Sequence, residues 1–113
     1  MACAAAELNE ADRGLETAWA SYEERMREVA HRPPDGGTYA PSTEKAERQL
    51  AERYLTAVEE AHSRFRAFRD VQCFTEGFSM RGGSGSDDPI VACKIRMDDA
   101  QTDHLTELTK ALR

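Results

Sequence analysis

The sequence has no run of about 18 apolar residues, so no segment is long and apolar enough to span a bilayer. It also has few basic residues, with 15 Lys and Arg against 21 Asp and Glu and a formal charge of -6. Without a basic face to neutralise phosphates, we expect no nucleic-acid partner, and a partner of positive charge is favoured. β-branched residues are sparse and no stretch alternates cleanly, which argues against strands.

An export signal is also missing from the first residues. Residues 1–6, Met-Ala-Cys-Ala-Ala-Ala, carry neither the basic n-region nor the apolar h-region of a signal peptide. Export would require that a signal was removed before this numbering begins, and we expect a periplasmic or secreted protein of that kind. Three cysteines are consistent with an oxidising compartment, where a disulfide supplements a small core; in a reducing cytosol they would be buried thiols.

What the chain does have is apolar residues at helical spacing. Its 40% apolar and 32% charged residues fit one domain over residues 1–113. Alternating steps of three and four predict three amphipathic helices, over residues 3–30, 42–77 and 88–112. Proline and glycine clusters separate them, because these residues favour turns over helix.

The second helix carries the longest apolar stripe. Its roughly 35 residues would form a rod of about 50 Å, which is long for a globular helix. We expect the stripe to face the core and the helix to end at Gly77. The stripe consists of Ala46, Leu50, Tyr54, Ala57, Val58, Ala61, Phe65, Phe68 and either Val71 or Gln72. At the start of the third helix, Asp88 offers an N-cap and Pro89 a suitable first-turn residue.

Three such helices pack most simply as an antiparallel three-helix bundle, an all-α fold in which each helix buries its stripe against the other two. Cys3, Cys73 and Cys93 then gather at one end of the bundle. Cys73 and Cys93 are nearly equidistant from the glycine-rich connection, so we favour a disulfide between them, with Cys3 paired to either one as the competing arrangement. A closed loop of about 20 residues contributes roughly 3 kcal/mol.

Residues for catalysis, metal binding or cofactor binding do not cluster in the sequence. His31, His62 and His104 lie in different segments, and none is within local reach of a nucleophilic serine or cysteine. No C-x-x-C spacing supports a metal site. The segment 82–86 lacks the lysine and the flanking strand of a phosphate-binding loop. We expect a protein that is not an enzyme and that holds no metal or cofactor.

Two motifs relate the chain to a known family. The first is a cysteine, an aspartate nine positions later, a leucine three further on and an aromatic four beyond that, matched by Cys3, Asp12, Leu15 and Trp19. The second reads approximately Ala-Gln-x-x-Trp-x-x-aromatic-Arg-Asp-x-x-Cys, then Gly-Gly-Ser and a last cysteine. It is matched by Ala61, His62, Phe65, Phe68, Arg69, Asp70, Cys73, Gly82, Gly83, Ser84 and Cys93. Over nearly its whole length the chain resembles the lysozyme inhibitor LprI N-terminal-like family of small secreted helical domains.

The chain departs from the family pattern at several positions. Phe65 stands where the family has a tryptophan, His62 where it has a glutamine, and Trp19 where it has a tyrosine. After the last cysteine, Asp98 and Gln101 take the places of a threonine and an arginine. An additional upstream cysteine that members often carry is absent, which accounts for the odd number of cysteines.

The motif residues have structural interpretations. Trp19, Phe65 and Phe68 lie on apolar stripes, so we interpret all three as core residues. Arg69 and Asp70 are adjacent and therefore are not expected to face each other along the helix. Each is expected to reach a neighbouring helix or loop, with Asp12 as the partner that we favour for Arg69.

The resemblance implies a protein-binding inhibitor of lysozyme, a cationic glycosidase, that acts by occluding the substrate cleft. Acidic residues are dense in the first third of the chain and would steer such a partner into contact. The segment that enters the cleft is expected to be one of two loops, which carry Pro33, Asp35 and Tyr39, or Arg81, Gly82, Gly83 and Ser84. The alternative is an envelope interaction module, an immunity-type protein or a helical dimer with another partner, and the oligomeric state stays open.

Overall fold

The computed structural model describes residues 4–30, 41–79 and 88–112. Three α-helices fill these ranges: α1 is Ala4–Ala30, α2 is Pro41–Ser79 and α3 is Pro89–Ala111. The predicted all-α class is therefore confirmed for the part of the chain that the structure describes. Within those same ranges, no helix combines the length and the apolar character needed to cross a membrane.

Contacts between the helices define an up-down-up bundle. Near the end of α2, Arg69 binds Asp12, which lies near the start of α1. At the other end, Arg25 of α1 donates a hydrogen bond to the backbone carbonyl of Leu112, just after α3. α1 and α3 therefore run in the same direction and α2 runs antiparallel to both. α1 and α3 share the most extensive contact, and α2 packs less closely against either.

The apolar core is small. Apart from two cysteines, the fully covered apolar side chains among the described residues are Leu15 and Trp19 of α1 and Leu105 of α3. Val58 and Phe65 of α2 pack against this cluster. Full burial of a side chain of this size contributes about 1.5–3 kcal/mol. The interpretation of Trp19 as a core residue is confirmed, and Phe65 packs at the edge of the same cluster.

The predicted stripe of α2 divides between two faces of the helix. Val58 and Phe65 face the core, whereas Tyr54 is 56% exposed and Val71 is 68% exposed. Phe68 is 60% exposed, so its interpretation as a core residue is wrong. Over 39 residues the stripe is broader than the face that α1 and α3 cover, because it includes two rows of apolar positions instead of one.

The junction between α2 and α3 differs from the prediction at one residue. Gly77 does not end α2, which continues to Ser79. Gly77 is buried, and a Cβ atom there would overlap with Cγ1 of Ile90 in α3. The glycine thus permits close approach of two helices. The start of α3 is as predicted, with Asp88 as N-cap accepting from the Ile90 amide at 2.9 Å and Pro89 in the first turn.

A disulfide joins the same two helices one turn further from the junction. Cys73 and Cys93 are bonded, with their Cα atoms 5.4 Å apart, and both are fully buried. The favoured pairing is therefore confirmed. Cys3, the competing partner, lies outside the described residues.

Candidate functional site

A buried ion cluster lies where the three helices meet. Arg69 of α2 is 3% exposed, and Asp98 of α3 is completely buried. Nη1 of Arg69 is 3.0 Å from both carboxylate oxygens of Asp98 and 2.6 Å from Oδ1 of Asp12 in α1. The expected contact between Arg69 and Asp12 is confirmed. One guanidinium therefore connects α1, α2 and α3.

The remaining nitrogen atoms of the guanidinium bind a neighbour on its own helix. Nε and Nη2 of Arg69 donate to Oδ1 of Asp70 at 3.0 and 2.8 Å. The expectation that these adjacent residues do not face each other is wrong, because the long Arg69 side chain curves back over the Asp70 carboxylate. Asp70 also contacts Lys94 of α3 at 3.5 Å, so it does reach a neighbouring helix as expected.

Burial and hydrogen bonds shift the pKa values of Asp98 and Asp12 in opposite directions. Burial raises the pKa of Asp98 to about 6, and a hydrogen bond with Asp12 acts in the same direction, against the opposing effect of Arg69. Burial also acts to raise the pKa of Asp12, but its hydrogen bonds with Asp98 and Arg69 outweigh this and hold it below its ordinary value of 3.8.

The chemistry of this cluster is structural. All three guanidinium nitrogens of Arg69 donate to carboxylates of the protein, so each nitrogen of this cation has a partner within the fold. A buried charge that is paired and hydrogen-bonded in this way fixes the register of the elements that supply the partners. The cluster therefore aligns the three helices at the end of the bundle that also carries the disulfide.

A second polar contact covers the core tryptophan. The ring of His62 in α2 stacks on Trp19, with centroids 4.8 Å apart and planes 9° from parallel. Nε2 of His62 lies 2.9 Å from Oε1 of Glu16 in α1. The indole Nε1 of Trp19 is buried and has no hydrogen-bond partner among the described residues. His62 and Glu16 thus form a lid over Trp19 and connect α1 to α2.

The structure brings together only part of the predicted site. Asp12, Arg69 and Asp70 meet in the ion cluster, Leu15 and Trp19 lie in the core with Phe65 beside them, and Phe68 faces outward. Both candidate partner-binding loops lie outside the described residues. The affected positions are Pro33, Asp35, Tyr39, Arg81, Gly82, Gly83 and Ser84.

Asp98 is the residue of the cluster that the sequence interpretation missed. It stood out only as a departure from the family pattern, in the place of a threonine. A helical signal was available, because Asp98 lies seven positions before the buried Leu105 and therefore on the same inner face of α3. An aspartate at such a position requires a buried cation, and Arg69 supplies it.

The surface charge is unevenly distributed among the helices. α1 has seven acidic and three basic residues, α2 has seven and six, and α3 has four and three. Several of the α1 carboxylates are exposed, including those of Glu10 and Glu24. The acidic excess therefore lies mainly on α1, whereas α2 is nearly balanced.

In the ranges that the structure describes, these features define a small, acidic, helical protein held by a disulfide and a buried ion cluster. The chain belongs to the lysozyme inhibitor LprI family, whose sequence pattern matches residues 1–105. The family is described as one of lysozyme inhibitors. No curated protein and no solved structure matches the chain.

Proposed function

We propose that this protein binds lysozyme and inhibits it by covering the substrate cleft. The family match over residues 1–105 is the observation that carries the proposal. The charge distribution supports it, because a surface with a net charge of -6 attracts a cationic enzyme at long range. α1 carries the largest acidic excess, so we assign it the electrostatic part of the contact.

The proposed location is the periplasm or the exterior of the cell. A disulfide between Cys73 and Cys93 is stable in oxidising compartments and rare in the reducing cytosol. The periplasm and the cell exterior are also where lysozyme meets its cell-wall substrate. The protein acts by binding alone and carries out no chemistry on the enzyme.

The segment that enters the cleft is one of the two that the sequence predicts to be loops. Residues 33–39 offer Tyr39, an aromatic of the kind that anchors protein interfaces, and residues 81–84 offer Arg81. The variants Tyr39→Ala and Arg81→Ala distinguish them. We expect only the variant in the inserting segment to lose inhibition while the other retains it. Equal inhibition by both variants and the wild type would contradict insertion through either side chain.

The direct test is titration of purified lysozyme at two salt concentrations, with binding measured by calorimetry and inhibition by hydrolysis of cell walls. We expect a complex at low ionic strength whose affinity falls as salt screens the charges. Absence of any complex at low ionic strength would overturn the proposal. Binding without inhibition would retain the partner and overturn occlusion of the cleft.

Matched charge variants test the assignment to α1. The double variant Glu10→Gln with Glu24→Gln removes two exposed negative charges from α1. The control, Asp99→Asn with Asp103→Asn, removes two exposed negative charges from α3. We expect the α1 variant to weaken lysozyme binding more than the control and to reduce its salt dependence. Equal effects would show that only the total charge matters.

A further inference from the structure

The outer face of α2 carries a regular stripe that the bundle does not use. Its positions recur at alternating steps of four and three, a mean spacing of 3.5 residues that is typical of a coiled-coil seam. All of them are exposed in the structure, in contrast to the inner face that packs on α1 and α3. They are Leu50, Tyr54, Ala57, Ala61, Arg64, Phe68 and Val71. We call this set the outer stripe.

The outer stripe is too apolar for a surface that stays in water. Its large members Leu50, Tyr54, Phe68 and Val71 are 43%, 56%, 60% and 68% exposed. The fold itself buries little, and its Cα radius of gyration of 19.0 Å exceeds the roughly 13 Å of a compact domain of this length. Exposed apolar side chains aligned along one face of a helix in this way point to an interaction site.

The charges on α2 favour a second copy of this chain as the binding partner of the outer stripe. The helix that carries the outer stripe has seven acidic and six basic residues, so it offers little attraction to a cationic protein. The acidic excess lies on α1 instead, with seven acidic and three basic residues. A second copy of the chain fits the nearly balanced face, because contact through α2 keeps the acidic α1 helices away from the interface.

We propose that the outer stripe binds the outer stripe of a second copy, forming a twofold dimer through antiparallel α2 helices. A parallel, in-register pair would set each large side chain of the outer stripe against its own copy, with no smaller residue opposite it. One antiparallel register instead sets Arg64 opposite Ala61, Phe68 opposite Ala57 and Tyr54 opposite Val71. Each large side chain then faces a smaller one, which lets the two helices interdigitate.

The available area suits a dimer of moderate affinity. Each aromatic side chain buries on the order of 150–250 Å² when fully covered, and leucine and valine bury less. The half-exposed members of the outer stripe with their alanine neighbours therefore supply about 600 Å² per copy, near the lower limit of about 1,200 Å² in total for a stable interface. The interface is isologous, so it closes at two copies.

Analytical ultracentrifugation of the full chain over a concentration series tests this proposal without lysozyme. We expect the mass to rise from 12.6 kDa towards twice that value as the concentration increases. Association should become stronger with salt, because salt screens the repulsion between two copies of the same net charge. Phe68→Glu is expected to weaken association at least tenfold. Ala100→Glu is the control, since it adds the same charge at an exposed position of α3.

Three outcomes would overturn the proposal. The first is a constant mass of 12.6 kDa up to millimolar concentration. The second is equal weakening by Phe68→Glu and Ala100→Glu, with both variants folded by circular dichroism. The third is a monomeric wild type whose lysozyme binding is lost in Phe68→Glu, which would assign the outer stripe to lysozyme. A dimer that fails to bind lysozyme would support this inference while contradicting the proposed function.

Discussion

Arg69 and Asp98 form the most deeply buried ion pair that the structure describes, with Nη1 of Arg69 3.0 Å from both carboxylate oxygens of Asp98. Two further carboxylates, of Asp12 and Asp70, complete the surroundings of the cation. Removal of a buried charged residue leaves its partner unpaired in a medium of low dielectric constant, which is more costly than the pair is stabilising. The variants of this cluster therefore give the clearest test of the fold.

Substitution of the arginine is expected to destabilise the protein strongly. Arg69→Ala leaves the carboxylate of Asp98 buried without its cation, so we expect a loss of about 3–5 kcal/mol in the free energy of unfolding. The melting temperature should fall by more than about 10 °C. Arg66→Ala is the control, because Arg66 is half exposed and its contact with Glu16 is 3.7 Å, and it should change stability by less than about 1 kcal/mol. Thermal melts of both variants that match the wild type would rule out this role for Arg69.

The pH dependence of stability follows from the two directions of pKa shift. Burial raises the pKa of Asp98 to about 6. The stability that Asp98 contributes is therefore fully present below pH 3.8 and is lost as the pH rises through about 6. Burial acts to raise the pKa values of Asp12 and Asp70, but contacts with Asp98 and Arg69 lower that of Asp12, and contacts with Arg69 and Lys94 lower that of Asp70. The stability that these two carboxylates contribute is present above pH 3.8 and is lost as the pH falls below that value. We expect stability to be greatest near pH 4 and to decline as the pH rises from there to about 6.

Denaturant unfolding at a series of pH values measures this profile, and Asp98→Asn is the diagnostic variant. The amide keeps the shape of the side chain but does not titrate, so the decline in stability between about pH 4 and 7 should flatten. The histidines and the surface carboxylates are unchanged in the variant and cancel in the comparison. Identical slopes in the wild type and Asp98→Asn would show that Asp98 does not set this dependence.

A pair of glycine substitutions tests the close approach of α2 and α3. Alanine is favoured over glycine in a helix by about 1 kcal/mol, so Gly14→Ala, which meets nothing within 4 Å, should be neutral or stabilising. Gly77→Ala places a Cβ against Cγ1 of Ile90, whose branched side chain has little rotamer freedom near the start of α3. We expect this overpacking to destabilise by about 1–3 kcal/mol in urea unfolding. A stabilised Gly77→Ala variant would contradict the close packing at this junction.

The disulfide gives a chemical prediction as well as an energetic one. Alkylation of the urea-unfolded protein without reductant, followed by mass spectrometry, should leave Cys73 and Cys93 unmodified, because they stay bonded to each other. The double variant Cys73→Ser with Cys93→Ser should lose about 3 kcal/mol of stability, because it frees a loop of roughly 20 residues in the unfolded chain. Labelling of Cys73 or Cys93 in the unfolded, unreduced protein would disprove the pairing.

Much of the fold was predictable because it depends on local signals. Apolar residues at steps of three and four predicted the three helices, and Asp88 with Pro89 predicted where α3 begins. The pairing of Cys73 with Cys93 followed from the symmetry of the connection between two antiparallel helices. Each of these depends on residues close together in the sequence or on the simplest packing of amphipathic rods.

The errors have a common physical origin in contacts between distant residues. Gly77 has the local character of a helix stop, but the approach of Ile90 from α3 gives it a different role. Phe68 has the spacing of a core residue, but two neighbouring helices cover only one side of α2. The partner favoured for Arg69 was Asp12, and the buried Asp98 was missed because its distance from Arg69 depends on how α2 and α3 are rotated.

The amino-acid sequence by itself determined that this chain is helical, acidic and related to the lysozyme inhibitor LprI family, since helical periodicity, charge and motif spacing are properties of the order of residues. Only the tertiary structure decided which side of α2 is buried, which carboxylates surround Arg69 and which stripe remains exposed. Those outcomes depend on the rotation of each helix about its axis, and that rotation is set by the combined packing of all three.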